Sequence, residues 1–214
     1  MDTELINDGE VQNIFCFCEN KTKATNNISD NFSNEIDEVL NGTYNSSNQV
    51  KARDYTPKIL VDNGVKDLPM LITVNHIKST ILTKKEAQMK KLYRKNINYH
   101  GLGKNVLIKV INNMDYPLGI YKKGDNNYII ITKVKNKYGD NIIVPVKIDG
   151  KGIYNNVYID ENQITSVYGK MNLENYIKNN NFEKIHIKKG TTLNERVQYP
   201  NISSSAETNI SRWK

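Results

Sequence analysis

The stretch NNYIIITKVKNKYGDNIIVPVKIDG, Asn126 to Gly150, decides the fold class. Two runs rich in Ile and Val, one on each side of the turn signal KYGDN, have the length and composition of paired antiparallel strands. Working outward, PLGIYKK lies before them and IYNNVYID and NQITSVYG lie after. All three are short and rich in Ile, Val and Tyr, and KGDNN and DGKG read as further turns. An antiparallel meander is therefore predicted from Pro117 onward. Pro145 has no N–H to give a ladder, so it belongs on an edge or at a bulge. Beyond the meander, MNLENYIKNN predicts a closing helix, FEKIHIK a last short strand and TTLNERVQ a final helix.

Upstream the pattern is helical. In FSNEIDEVLNG, Phe32, Ile36, Val39 and Leu40 share one face, and Gly42 ends the helix. TYNSSNQVKAR reads as a linker. TPKILVDNG reads as a short helix with Thr56 as cap and Pro57 at its first helical position, ending at Gly64. LPMLITV is a strand candidate, and NHIKSTIL begins with Asn75 as a cap. A further helix spans Gly103–Met114. Helices first and a sheet afterwards make an α+β fold. At 214 residues the chain holds one domain, or one domain with an appendage. The expected division is an acidic, mostly irregular leader at 1–30, a basic domain at 31–200, and a disordered Ser- and Asn-rich tail at 201–214.

The net charge of +7 is unevenly spread. Residues 1–50 carry two basic and nine acidic side chains, whereas the remainder carries 28 basic and 14 acidic. A basic body favours a polyanionic partner, of which nucleic acid is the commonest, although surplus surface lysine has the same signature. Within 83–98, Lys84, Lys85, Lys90, Lys91, Arg94 and Lys95 face Glu86 alone. That segment is either a solvated helix or loop, or a contact for a phosphate backbone. Cys16 and Cys18 have no partners for a zinc site and stand too close for a disulfide, so they read as inert thiols. The acidic start has no secretory pattern, and no apolar run approaches the roughly 20 residues of a membrane helix. The expected setting is the cytoplasm of a bacterial host or a virion, with no membrane partner.

Chemistry centres on NINYHGLGK, Asn96 to Lys104. A phosphate-gripping loop needs wider glycine spacing and a Ser or Thr after its Lys, whereas Asn105 follows Lys104. Gly101 and Gly103 instead shape the start of the helix on which Leu102, Val106, Val110 and Ile111 recur. His100 then stands at the mouth of that helix. It is expected to face a cleft, with Gly101 leaving room for a substrate phosphate and Lys104 contacting it. His76, His100 and His186 are too dispersed for a zinc motif, and Asp160 and Glu161 are adjacent, hence on opposite faces of a strand. No metal or cofactor is therefore expected.

What remains is a metal-free kit of His76, His100, lysines and the hydroxyls of ITSVYGK. If that segment is one strand, Thr165 and Val167 point one way and Ser166 and Tyr168 the other. A metal-independent RNase needs a base for the 2′-OH, an acid for the leaving 5′-oxygen, and cations or hydroxyls around the phosphorane. Histidine suits the first two roles because its pKa of about 6.5 lies near working pH. Lys78, Lys104, Lys170, Lys188 and Lys189 are the candidate phosphate-binding cations. Blander readings stand beside these: His76 capping or packing, Tyr168 as an ordinary sheet residue, and His186 on the exposed face of its strand.

The order of TPKILVDNGVKDLPMLITVNHIKSTI, YHGLGKNVLIKVINNMDYPLGIY, YIIITKVKNKYGDNIIVPVKI and ITSVYGK, across roughly residues 32–200, resembles the phage MuF-type C-terminal domain. That domain is similar to the barnase/EndoU/colicin/RelE-like group of nuclease folds found in phage polyvalent proteins and toxins. The resemblance implies an N-terminal helical lobe packed on a curved antiparallel sheet of about four to five strands, with a cleft between. It also implies RNase activity without metal. Its catalytic His comes from the helical half, where His76 and His100 match by position. Its Ser/Thr and Tyr come from the late sheet strand, where Thr165, Ser166 and Tyr168 match. Full-length relatives carry a head-associated domain first, so the expectation is a free-standing or excised version.

Two functions follow as expectations. The first is a phage- or prophage-derived RNase-like toxin or effector acting on RNA, with an immunity protein or phage head protein as a partner. The second is a non-catalytic module of the same fold that holds nucleic acid or a head protein. A purely structural virion component is a third. The acidic leader would serve the basic body as an autoinhibitory or docking arm.

Overall fold

The computed structural model describes residues 27–191 and Leu193. Its elements run α1 (Phe32–Asn41), β1 (Gln49–Arg53), α2 (Lys58–Val61), β2 (Met70–Thr73), α3 (Val74–Ile81), α4 (Lys84–Met89) and α5 (Lys104–Asn112). A 3-10 turn at Asn113–Asp115 leads to β3 (Gly119–Lys123), β4 (Asn127–Lys135), β5 (Asn141–Tyr154), β6 (Val157–Ile164), β7 (Tyr168–Gly169), α6 (Leu173–Asn179) and β8 (Glu183–Ile187). The eight strands form one sheet in the order β1-β2-β6-β5-β4-β3-β8, and β7 pairs with β5 beside the end of β6. Every pairing is antiparallel except β2 with β6. Cys16, Cys18, the leader before Asn27, the helix expected in TTLNERVQ and the 201–214 tail lie outside the described residues, apart from Thr191 and Leu193. No described helix is long and apolar enough to cross a membrane.

The α+β class holds, but the sheet is larger than the four to five strands expected. The N-terminal half is also not a separate helical lobe, because β1 and β2 belong to the same sheet as the meander. β1 falls in the segment read as a linker. Its alternate residues Val50 and Ala52 are buried, but Gln49, Lys51 and Arg53 hide the period from hydropathy. The DGKG signal is not a turn: β5 runs through it with a bulge between Lys147 and Gly150, where Asp149 adopts φ 56°. The chain reverses at Asn155-Asn156, with φ 49° and 62°, the paired left-handed geometry of a tight hairpin. Thr73, not Asn75, caps α3, its hydroxyl accepting the His76 N–H at 3.2 Å. Pro57 occupies the cap of α2, because the Thr56 hydroxyl is committed to the Leu68 carbonyl at 2.8 Å. His186 is half-buried opposite Ile120, and Ile187 is exposed instead. A register shift at Ile120–Tyr121 breaks the alternation along β8.

Two apolar layers enclose the sheet. On one face Phe32 and Ile36 of α1, Ile77 of α3 and Leu107 and Ile111 of α5 meet Val50, Ile72, Ile130 and Val144. On the other, Leu173 and Ile177 of α6 meet Ile129, Ile131 and Ile143. Burial on both faces explains why β4 reads as an unbroken apolar run from Tyr128 to Ile131.

Polar side chains fasten the first elements to this sheet. Arg53 is fully buried. Its guanidinium donates to the Asp115 carboxylate at 2.7 and 2.8 Å, to the Ile111 carbonyl at 2.9 Å and to the Tyr55 carbonyl at 3.2 Å. Asn162, also buried, donates to Thr56 Oγ1 and the Lys66 carbonyl and accepts the Asp149 N–H. Removing one partner of a buried ion pair strands the other charge. Asp115→Ala should therefore lower the unfolding free energy by about 3–5 kcal/mol. Lys58→Ala, which breaks the exposed Lys58–Asp62 pair, should cost less than about 1 kcal/mol. Urea titrations of the two variants check the contrast.

Candidate functional site

A helix leaves its last carbonyls without intrahelical donors. At the end of α3 the HGLG segment supplies them. The N–H groups of His100, Leu102, Gly103 and Gly101 donate to the carbonyls of Ser79, Thr80, Ile81 and Leu82 at 2.7, 2.9, 3.1 and 3.0 Å. Gly101 has φ +61°, and a Cβ there would lie 2.6 Å from Thr83 Cγ2. The space beside Gly101 is thus taken by Thr83, and not by a substrate phosphate as the sequence led us to expect. Gly103, at φ +81°, caps α5 as expected.

The opposite wall comes from a break in the sheet. β6 ends with Ile164 opposite Val146, and β7 begins with Tyr168 opposite Ile143. Pro145 lies between these pairings, in an interior strand. Its carbonyl accepts the Thr165 N–H at 3.0 Å and the Thr165 hydroxyl at 3.3 Å. The N–H and C=O of a strand residue point to the same side, so the donor that Pro145 lacks would face this bend. The ITSVYG segment is therefore not one continuous strand, and the expected alternation fails. Val167 enters the core, and Thr80 Oγ1 donates to its carbonyl at 3.4 Å.

Between these walls lies a cavity of about 610 Å³. Asn75, His76 and Ser79 line it from α3, and Asn96, Ile97, Asn98 and His100 from the following loop. Thr165, Ser166 and Tyr168 line it from the bend. All five side chains nominated for chemistry thus share one cavity. The His100 ring stacks on Tyr168, with centroids 5.2 Å apart and planes at 20°. The Tyr168 hydroxyl stands 3.5 Å from that of Tyr176 on α6. His76 Nδ1 is buried without a hydrogen-bond partner among the described residues.

Burial pushes both imidazoles below their usual value, toward the neutral form. Burial, and then the Tyr176 hydroxyl, raises Tyr168 and keeps its phenol protonated. A neutral imidazole accepts a proton, and a protonated phenol can donate one.

The nominated lysines are less concentrated. Lys78 is half-buried on α3, its ammonium held below the usual value by burial and then by Arg94. Lys104 does not line the cavity; it pairs with Asp37 of α1 at 2.7 Å. Lys170 lies over the Tyr176 ring, 4.2 Å from its centroid. Lys188 lines a separate cavity of about 240 Å³ with His186 and Lys133, and Lys189 follows it, exposed. The sequence reading missed Asn75, Ser79, Asn96 and Asn98. In so Asn-rich a chain these residues carry no distinguishing signal. Among the described residues no three His, Cys, Asp or Glu side chains converge to hold a metal ion.

The lowered imidazoles make folding pH-dependent. Below the usual His value of 6.5 the unfolded chain takes up protons that the folded chain resists, so these two groups remove stability as pH falls. Glu35 and Glu161, raised by burial, work in the opposite sense. A variant carrying His76→Asn and His100→Asn keeps both acids. Between about pH 7.5 and pH 5 it should lose less stability, by urea midpoint, than the wild-type protein.

No curated protein matches the chain, and no solved structure does. The model of one family does match, over less than the roughly 32–200 that the sequence resemblance suggested. The matched part holds His100, α5, the meander and the Thr165–Tyr168 bend, while His76 on α3 precedes it. Residues 91–192 of this chain match the phage MuF-C-terminal domain.

Proposed function

We propose that this chain is a phage- or prophage-derived RNase-like domain that cleaves RNA by metal-independent acid–base chemistry. The observation that carries the reading is the convergence of His76, His100, Thr165, Ser166 and Tyr168, from three separate segments, on one cavity. One imidazole takes the proton of the 2′-OH. The 2′-oxygen attacks phosphorus, and the 5′-oxygen leaves with a proton from Tyr168, or from the other imidazole in those molecules that carry it protonated. Ser166 and the side-chain amides of Asn75 and Asn98 hydrogen-bond the phosphorane oxygens. The excess of basic over acidic residues beyond residue 50 supports a polyanionic substrate. The same proposal places the fold with the barnase/EndoU/colicin/RelE-like nucleases. It gives the protein a toxin-like role, opposed by an immunity protein or docked on a phage head protein.

Two observations favour a second reading. His76 Nδ1 has no orienting acceptor among the described residues, and Lys104 is already paired. A module that holds nucleic acid or a head protein without cleaving needs neither. Incubation with total RNA in EDTA separates the two. The proposed RNase leaves 2′,3′-cyclic phosphate ends, and His100→Ala lowers the rate by about 10²–10⁴-fold with little change in unfolding midpoint. Stable binding without cleavage supports the module.

The leader enters this proposal as an electrostatic shield. Ile28 pairs with Arg53 and Phe32 is fully buried, so a truncation should stop before them. Removing residues 1–26 should tighten binding to RNA at low salt, and the gain should shrink as salt rises. Filter-binding titrations at two salt concentrations read the effect, and equal affinities at low salt would retire the shield.

A further inference from the structure

His100 belongs to two cavities. The second, of about 630 Å³, abuts the first. Tyr99, Leu102, Val106 and Met171 line it, together with Lys137 and Tyr138 from the turn joining β4 to β5. Tyr138 is 69% exposed, and Lys137 Nζ stands 5.0 Å from its ring centroid. An exposed aromatic ring at a cavity rim offers a surface on which a base can stack. This one is also held in place. Asn136 Oδ1 accepts the N–H groups of both Tyr138 and Asp140 at 2.9 Å, fixing the turn from inside. Gly169 of β7 has no room for a Cβ beside the Asn136 side chain, so the turn sits tightly against the strand that carries Tyr168. The platform is thus fastened to the same short strand as the His100–Tyr168 stack.

We infer that the second cavity is a base subsite. The base of the nucleotide on the 3′ side of the scissile phosphate stacks on Tyr138, while that phosphate lies on the far side of His100. This rests on the RNA reading above and names its substrate class: single-stranded RNA with a nucleotide on each side of the cut. Cavities with aromatic rims accept unpaired bases, whose faces a duplex would hide. Each cavity is of a size that holds one small ligand. Lys137 beside the ring adds a cation close to the strand.

The test uses the full chain and a six-nucleotide RNA with 2′-O-methyl groups throughout, which cannot be cleaved, beside a 3′-mononucleotide. Base–aromatic stacking predicts that Tyr138→Ala weakens binding of the hexanucleotide about five-fold or more. Tyr138→Phe, which keeps the ring, binds it like the wild type. All three proteins bind the mononucleotide alike, and their urea midpoints agree because the side chain is largely exposed. Equal hexanucleotide affinities for wild type and Tyr138→Ala overturn the subsite. So does an equal loss on both ligands, or no measurable hexanucleotide binding by the wild type. Cleavage of unmodified RNA in EDTA is scored separately. Tyr138-dependent binding without cleavage removes the RNase reading and leaves the subsite, whereas cleavage with Tyr138-independent binding does the reverse.

Discussion

Four consecutive backbone donors, from His100 to Gly103, close the open end of α3, and most of the site follows from that contact. Unpaired carbonyls at a helix end cost free energy unless something meets them. Here a segment without regular structure of its own meets them, and in doing so it is aligned against the helix. His76 and Ser79 stand on that helix and His100 begins the segment, so the stitch sets the spacing between the two imidazole-bearing elements. It also starts α5, whose apolar face then reaches the core through Leu107 and Ile111. Gly101 is demanded by this arrangement twice over, by its positive φ and by the approach of Thr83.

A second constraint acts from the sheet. β5 is its spine, with β4 on one side and β6 and β7 in succession on the other. A proline in such a strand normally sacrifices a ladder bond. At Pro145 the partner chain leaves the ladder where that donor would be missing, and Thr165 and Ser166 enter the cavity from the gap. Further along β5 a bulge between Lys147 and Gly150 interrupts the ladder again. Gly152 leaves space that Gln49 and the buried Glu161 occupy, and Gln49 Oε1 accepts the Ile153 N–H at 3.1 Å. The irregularities of this strand thus position side chains at both ends of the sheet.

The cavity joins two parts of the chain with different standing. Its late wall and His100 fall within the residues matched to the phage domain, whereas His76 stands on α3, ahead of them. What holds the earlier elements in register is largely polar. Arg53 ties β1 to the end of α5, Asn162 ties β6 to the loop before β2, and Glu35 accepts from Lys51 N–H and Tyr154 O–H. Buried polar groups of this kind specify one arrangement because any other would leave them unpaired.

Where local periodicity is strong, the sequence by itself determined the outcome. The meander, α1, α3, α5 and α6 were legible because alternation and helical spacing record which face of an element is buried. The candidate residues His76, His100, Thr165, Ser166 and Tyr168 were legible as types, from their chemistry and from the resemblance. Tertiary structure decided what periodicity does not encode. β1 looked like a linker because three of its five residues are polar, and its strand character comes from pairing with β2. The bend at Thr165–Val167 lies opposite a proline some 20 positions earlier whose carbonyl holds Thr165, and it turns three side chains toward one cavity that a straight strand would have split between two faces. Lys104 found Asp37 across 67 positions. Such contacts depend on which segments the whole chain brings together, and no local window of sequence contains both partners.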